Sequence, residues 1–480
     1  MSGEPRISGY ALARLLPDMQ TVAGIKYGVL TAAITSLILD GRVALGSRLP
    51  SERELAGAVG LSRATVTVAY DALRSRGYLE SRSGSGSFVV LPAGEVKRTV
   101  VRDWPQGGRD RETIDLTLAA LTAPPGSVVE ALATAAAELP AYAYRSGGYD
   151  AFGLVPLRSA VAARFEARGV PTDPAQIIIT GGALHGLDLL LRLMIGPGDR
   201  VLTELPSYPG ALDAIRASAG RLLPVPLAPQ GGWDVSQLEA VLRQSSPKLA
   251  YLIPDFHNPT GVLIADEARE VVFAVARQTS TTVVVDETFL GLGFVPDATA
   301  SAAIDPAVIS VGSLSKSVWG GLRIGWIRAS AEIVQRLAGL RTAIDLGSPV
   351  LEQLIAVELI AKLDGILSAR VDELERKRDV LTEALARALP EWTAAHPQGG
   401  LSLWLDLGAP VSTALTLLAR SVGVGIVPGS RFGVDGTLER FLRLPYTHSP
   451  EALTDAVLRL KRVWQGLDRA DRHLTQLVVA

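Results

Sequence analysis

The chain of 480 residues contains no cysteine. That absence excludes a disulfide framework, a thiolate metal site and a cysteine nucleophile. Its five histidines (His185, His257, His396, His448, His473) stand far apart without ligand spacing, so no metal centre is expected. No uncharged apolar stretch reaches membrane-spanning length. The start, MSGEPRISGYALARLLPD, lacks a basic segment followed by an apolar core, so no signal peptide is expected either. Charge of one sign is also missing: the formal net charge is -2, and any surface for nucleic acid must be local. What remains is ordinary globular usage, with 48% hydrophobic and 20% charged residues, which rules out wholesale disorder and a fibrous chain. The length suggests about three folding units. These features lead us to expect a soluble, cytoplasmic protein without a membrane partner.

Three stretches differ in character. Residues 10–90 alternate short helical patterns and end in a serine- and glycine-rich run. Residues 91–112 (LPAGEVKRTVVRDWPQGGRDRE) carry charge, proline and glycine without a sustained period, which is linker composition. From 113 to about 470, apolar runs and amphipathic helices alternate as in an α/β domain. Residues 1–92 hold ten basic residues against seven acidic ones, so the basic character gathers at the amino-terminal end.

In that first stretch Ser51 can cap a helix carrying Leu55 and Val59, Gly60 breaks it, and Ser62 can cap the next. Val66, Ala69, Tyr70 and Leu73 then form an inward face at helical spacing. Arg63, Thr65 and Thr67 are left near the exposed first turn. Two short helices with a tight turn make a helix-turn-helix, whose second helix reads the major groove through such residues. GYLESRSGSGSFVV follows as two strands around a glycine-rich tip, a wing that places Arg82 near phosphate or the minor groove. The shape alone also suits a small helical domain with ordinary solvated arginines. The wording LPSERELAGAVGLSRATVTVAYDALRSRGYLE, however, resembles the winged helix of GntR-type transcription regulators along its whole length. The resemblance implies contacts to double-stranded operator DNA from Arg53, Ser62, Arg63 and Thr65, with Ser83 and Gly84 at the wing tip.

In the large domain, five apolar runs each lead to a residue with chemical capability. QIIIT precedes Gly181-Gly182, RVLTELPS precedes Tyr208, KLAYLIPDFH precedes Asn258, TTVVVD ends at Asp286 and AVISVGSLS precedes Lys316. Near-continuous Val/Ile/Leu runs suit a parallel sheet buried on both faces, and ligands sit beyond the carboxyl ends of such strands. An aldehyde cofactor needs a lysine amine for a Schiff base, supplied by Lys316. A pyridine ring used as an electron sink needs a carboxylate at its nitrogen, supplied by Asp286. The Asn258 amide can serve its phenolic oxygen, and Tyr208 can lie over its face. Gly182 and Ala183 at a helix start, the hydroxyls of Ser313 and Ser315, and Arg323 suit its phosphate. Taken singly, each has a bland reading: a solvated lysine, a turn, a helix cap.

HNPTG, DET after an apolar strand, and SLSKSVWGGLRIGW resemble the signatures of fold-type I aminotransferases that depend on pyridoxal 5'-phosphate. FGLVPLRSAVAARFEARG resembles their early glycine–Leu–Arg helix, and RFLRLPYT the late strand whose arginine, here Arg443, holds a substrate carboxylate. Arg431 and Arg440 stand nearby as alternatives. The likeness runs from about residue 114 to the low 460s. Joined to a GntR-like module it is the MocR/GabR arrangement, which the seven-residue step from Lys316 to Arg323 also fits. The fold implied is an N-terminal winged helix-turn-helix followed by an α/β, mostly parallel-sheet domain with a smaller α+β carboxy-terminal subdomain.

The function implied is a transcription regulator that senses pyridoxal phosphate or an amino-acid-like effector through the Lys316 aldimine. The alternative is a working aminotransferase with an appended DNA-binding domain. A homodimer is implied, with the winged helix of one chain against the large domain of the other. One departure stands out. Aminotransferases place a tyrosine a few residues after the ring-nitrogen aspartate, whereas DETFLGLGF has Thr288 and Phe289. Asn258 is therefore expected as the main donor to the phenolic oxygen, with Thr288 as the other candidate.

Overall fold

The computed structural model describes residues 6–17, 19, 26–39, 42–43, 46–82, 86–90, 113–144, 147–228, 231–294, 307–434 and 436–479. Near the amino terminus, helix Glu52–Val59 starts where the Ser51 hydroxyl accepts the Glu54 amide at 3.2 Å. It stops at Gly60, whose φ of 68° is left-handed and suits glycine. Ser62 caps the next helix, Arg63–Ser75, in the same way. Strands Leu79–Arg82 and Gly86–Val89 pair antiparallel behind it. Helices Gly9–Leu15 and Lys26–Leu39 complete the module, whose core includes Leu12, Leu30, Ile34, Leu55, Val66, Tyr70 and Leu73.

The large domain is built on a seven-stranded sheet. Its order is Ile177–Thr180, Gly325–Arg328, Ile309–Ser313, Thr282–Asp286, Leu249–Leu252, Arg200–Leu205 and Arg221–Pro226. Gly325–Arg328 runs antiparallel to both neighbours, so the other six strands share one direction. The central strands are buried throughout, as Val/Ile/Leu runs covered on both faces must be. Residues from Gly181, Tyr208, Asn258, Asp286 and Lys316 consequently gather beyond one edge, where the six strands end.

A second sheet of four antiparallel strands (Thr393–Ala394, Ser402–Asp406, Phe441–Pro445, Val427–Pro428) packs with helices Leu363–Ala388, Ser412–Ser421 and Pro450–Val479. A short strand, Ile114–Asp115, pairs in parallel with Val424–Gly425 and ties the start of the domain to this subdomain. The mostly parallel main sheet with a smaller α+β subdomain is the architecture expected from the sequence.

Candidate functional site

Lys316 lies in a π-helical turn, Ser315–Trp319, directly after the strand Ile309–Ser313. Its half-buried ammonium donates to the carbonyl of Ala119 at 2.8 Å. Burial and the nearby Arg443 guanidinium lower its pKa to about 8, against the opposing pull of Asp286. An amine in that range is still mostly protonated at neutral pH, but its neutral fraction is far larger than that of an ordinary lysine, which favours a nucleophile.

Asp286 is buried at the end of its strand, and both of its oxygens are occupied. Oδ1 accepts the Thr288 amide at 2.9 Å and the Thr288 hydroxyl, while Oδ2 accepts the phenol of Tyr251 at 2.6 Å. Burial pushes the Asp286 carboxyl up, and these donors, with Lys316, pull it back down. Thr288 is thus engaged with Asp286, and Phe289 packs against the apolar core with Phe256 and Leu292. Asn258 is buried next to a cis Asn258–Pro259 bond, and its side-chain oxygen has no hydrogen-bond partner. Tyr208 immediately precedes helix Pro209–Ala217, and its ring lies so near Gly210 that a Cβ there would come within 2.7 Å of it.

A cradle forms where helix Ala183–Met194 begins. Gly182 has φ 107°, and a Cβ on it would meet the Arg323 guanidinium at 2.9 Å. Arg323 is itself left-handed at φ 52° and donates to the Gly181 carbonyl. The hydroxyls of Ser313 and Ser315 lie 2.8 Å apart on the other side. Helix-start amides, two hydroxyls and an exposed guanidinium are a donor set that could hold a phosphate.

Arg443 is buried on strand Phe441–Pro445, with its guanidinium 4.9 Å from the Phe432 ring centre. It donates to the Thr117 carbonyl, its Nε has no partner, and burial lowers its pKa to about 10. The two alternatives are otherwise engaged: Arg431 pairs with Asp213 at 2.9 Å and Arg440 with Asp406 at 2.6 Å.

Reasoning from the sequence missed Tyr251, Thr117 and Ala119. Tyr251 carried a signal, being the only polar side chain inside the buried strand Leu249–Leu252. Thr117 and Ala119 act through backbone carbonyls, and no residue type announces that. The glycine-dependent cradle, the buried Asp286 carboxylate and the low-pKa lysine together fit pyridoxal phosphate.

In the amino-terminal module Arg53 and Arg63 are exposed, and Ser62 and Thr65 share a 2.8 Å hydroxyl contact at the helix start. Glu52 accepts the Thr67 hydroxyl at 2.9 Å and lies 3.9 Å from Arg63 and 3.7 Å from Arg74. Arg82 stacks over Phe88 at 4.4 Å. Ser83 and Gly84 lie outside the described residues.

Comparison with known proteins agrees with both halves. Residues 113–460 match the family model for aminotransferase class I and II, and residues 26–89 match that for bacterial regulatory proteins of the gntR family. The 2-aminoadipate transaminase of Thermus thermophilus is 34% identical over 325 residues, 66% of this chain and 80% of that protein. The HTH-type transcriptional regulator TauR of Rhodobacter capsulatus is 28% identical over 469 residues, 89% of this chain and 94% of its own. Among solved structures, LysN, the α-aminoadipate aminotransferase of Thermus thermophilus complexed with N-(5'-phosphopyridoxyl)-L-leucine, superposes with TM-score 0.68 at 31% identity. That match covers 75% of this chain and 94% of LysN.

The large domain is therefore a fold-type I domain of the kind that binds pyridoxal phosphate. The chain belongs to the aminotransferase class I and II family, and with its GntR-family winged helix it is a MocR-type transcription regulator.

Proposed function

We propose that this regulator couples operator binding to the occupancy of its aminotransferase-like site, with pyridoxal phosphate as cofactor and an amino acid or related amino carboxylate as effector. The observation that supports the reading is the joint presence of a low-pKa lysine beside the candidate cofactor residues and a capped helix with an exposed first turn in one chain. In this reading Gly182, Ala183, Ser313, Ser315 and Arg323 hold the phosphate, and Tyr208 covers the ring. Asp286 faces the ring nitrogen and the Asn258 amide serves the phenolic oxygen. The bound cofactor supplies an aldehyde for an amine and an electron-accepting ring. Lys316 supplies the amine that fixes it, and Arg443 takes the effector's carboxylate through paired N–H donors.

Arg53, Ser62, Arg63 and Thr65 are proposed to face DNA. The two family matches end at residue 89 and begin at 113, in keeping with a winged helix over 10–90, a linker over 91–112 and a cofactor-binding domain over 113–470. Val129, Tyr144, Tyr149 and Val155 leave 71%, 86%, 79% and 58% of their surfaces exposed, an apolar area that a second copy of the chain would cover. A homodimer in the cytoplasm follows from this reading. At about 3.3 to 3.6 Å per extended residue, the linker is long enough to place each winged helix against the other subunit.

The test is binding to DNA from the protein's own upstream region, comparing cofactor-loaded, cofactor-free and Lys316→Ala protein at two salt concentrations. Specific binding that changes with cofactor state supports the proposal. Specific binding indifferent to both cofactor and amino acids, beside rapid multiple-turnover amino transfer, would replace it with the enzyme reading.

A further inference from the structure

The segment that opens the large domain, residues 114–122, is held by a row of backbone carbonyls, each accepting from a cationic or basic side chain. His448 Nε2 donates to Asp115 at 2.8 Å, Arg443 to Thr117, Lys316 to Ala119 at 2.8 Å, and Arg370 to Thr122. The two inner partners, Arg443 and Lys316, are the groups assigned above to the effector and the cofactor. The two outer ones, His448 and Arg370, have no such assignment. The segment therefore engages both ligand anchors at once.

Its carbonyls are weak partners for what they hold. Arg443 is buried with Nε unsatisfied, and an ionised carboxylate is a stronger, charge-assisted acceptor than an amide carbonyl. Lys316 as an ammonium offers three protons; condensation with an aldehyde, with loss of one water, leaves its nitrogen at most one. Ligand chemistry at these two side chains thus competes with the Thr117 and Ala119 carbonyls for the same donors. The outer anchors survive that competition, as do the buried pegs Leu116 and Leu121 and the bond from the Leu116 amide to Gly425 at 2.8 Å. The segment consequently loosens at its centre without leaving the domain.

Chain continuity gives this loosening somewhere to go. Residues 113–116 connect this centre to residues 91–112, which join the cofactor domain to the winged helix. We propose that Thr117 and Ala119 are binding-site residues of a particular kind. Their carbonyls occupy the effector and cofactor anchors in the ligand-free protein, and their displacement by an amino-carboxylate effector and the cofactor aldehyde transmits occupancy to the linker. This rests on the function proposed above and supplies its missing connection.

Amide hydrogen exchange of the full-length protein separates the two anchors. Pyridoxal phosphate alone addresses Lys316, and propionate, a carboxylate without an amine, addresses Arg443 against a chloride control. Each is expected to speed exchange across residues 117–122 by roughly ten-fold, with additive effects when both are present. Lys316→Ala and Arg443→Ala should show the same loosening without any ligand. Exchange there that ignores both probes overturns the inference, even if operator affinity responds to cofactor; the proposed function would then stand with another connection. Loosening in both variants with operator affinity equal to that of ligand-free protein also overturns it, because the segment would move without consequence. Operator affinity indifferent to cofactor and amino acids, by contrast, removes the proposed function itself.

Discussion

The phenol of Tyr251 donates to Asp286 Oδ2 at 2.6 Å inside the sheet, one strand away from the aspartate it supports. With Thr288 on Oδ1, it provides the counterweight to burial that keeps Asp286 ionisable. Tyr251→Phe should therefore raise the Asp286 pKa further. A carboxyl whose folded pKa is raised destabilises the fold as pH climbs from its unfolded value, about 3.9, through the folded one. In cofactor-free protein the substitution should cost about 1–3 kcal/mol at pH 8 and distinctly less at an acidic pH at which Asp286 takes up a proton. Urea unfolding at the two pH values checks this, and an equal cost at both would assign Tyr251 to packing alone.

Lys316 and Arg443 repel one another, and that repulsion has a kinetic signature. Only the neutral amine attacks an aldehyde, so the rate of cofactor capture should rise with pH around a midpoint of about 8. Burial, the larger cause, remains in Arg443→Met, but the guanidinium's contribution does not. The midpoint should then move upward, toward the ordinary lysine value, and capture at neutral pH should slow by several-fold. Stopped-flow absorbance across a pH series measures it. A midpoint that stays put would mean the two charges are screened from each other.

The main sheet was legible because a two-face-buried strand must be apolar throughout, and the chemistry-bearing residues stood where those runs stopped. Lys316, Asp286 and Asn258 could be placed at one edge of the sheet for that reason. The choice of Arg443 over Arg431 and Arg440 rested on the resemblance alone, since the residues themselves do not show whether Asp213 and Asp406 lie within reach, a matter of tertiary distance. The fate of Thr288 was equally hidden. A hydroxyl two residues after an aspartate can turn forward or back, and here it turns back to the carboxylate. The carbonyls of Thr117 and Ala119 left no trace at all, because every residue carries one.

Glu204 shows what burial does when a carboxyl has donors but no cation. It accepts Trp233 Nε1 at 2.9 Å and the Ile253 amide at 3.0 Å, and His257 Nε2 lies 3.7 Å away without a hydrogen-bond partner. Burial raises the Glu204 carboxyl to about 8 and lowers the His257 imidazole to about 3, so both are largely neutral at pH 7. The raised acid favours folding at low pH, and that contribution is lost as pH rises from the unfolded value, about 4.3, through 8. Glu204→Gln keeps an acceptor for both donors and brings an amide toward His257. It should flatten the stability profile and exceed the native protein by about 1–3 kcal/mol near pH 9, read by urea unfolding. A variant less stable than the native protein at that pH would show that the ionised carboxylate is preferred.

Ser62 and Arg63 are adjacent at the start of the recognition helix, yet the structure gives them separable duties. The Ser62 hydroxyl accepts the Thr65 amide at 3.1 Å, so Ser62→Ala removes a cap and should cost about 1 kcal/mol of stability in the winged helix. Arg63 keeps most of its side chain in solvent, 3.9 Å from Glu52, and its removal should leave stability nearly unchanged. Its proposed partner is DNA. Arg63→Ala should weaken operator binding by about 1–3 kcal/mol, and the manner of weakening identifies the contact. A uniform loss over all sequences, with a salt slope lower by about 1, marks a phosphate partner. A loss confined to the operator, with relaxed preference at one base pair, marks a base edge in the major groove. Fluorescence anisotropy over a salt series on operator and scrambled DNA separates the two, and undiminished affinity for both would take Arg63 off the DNA-facing surface.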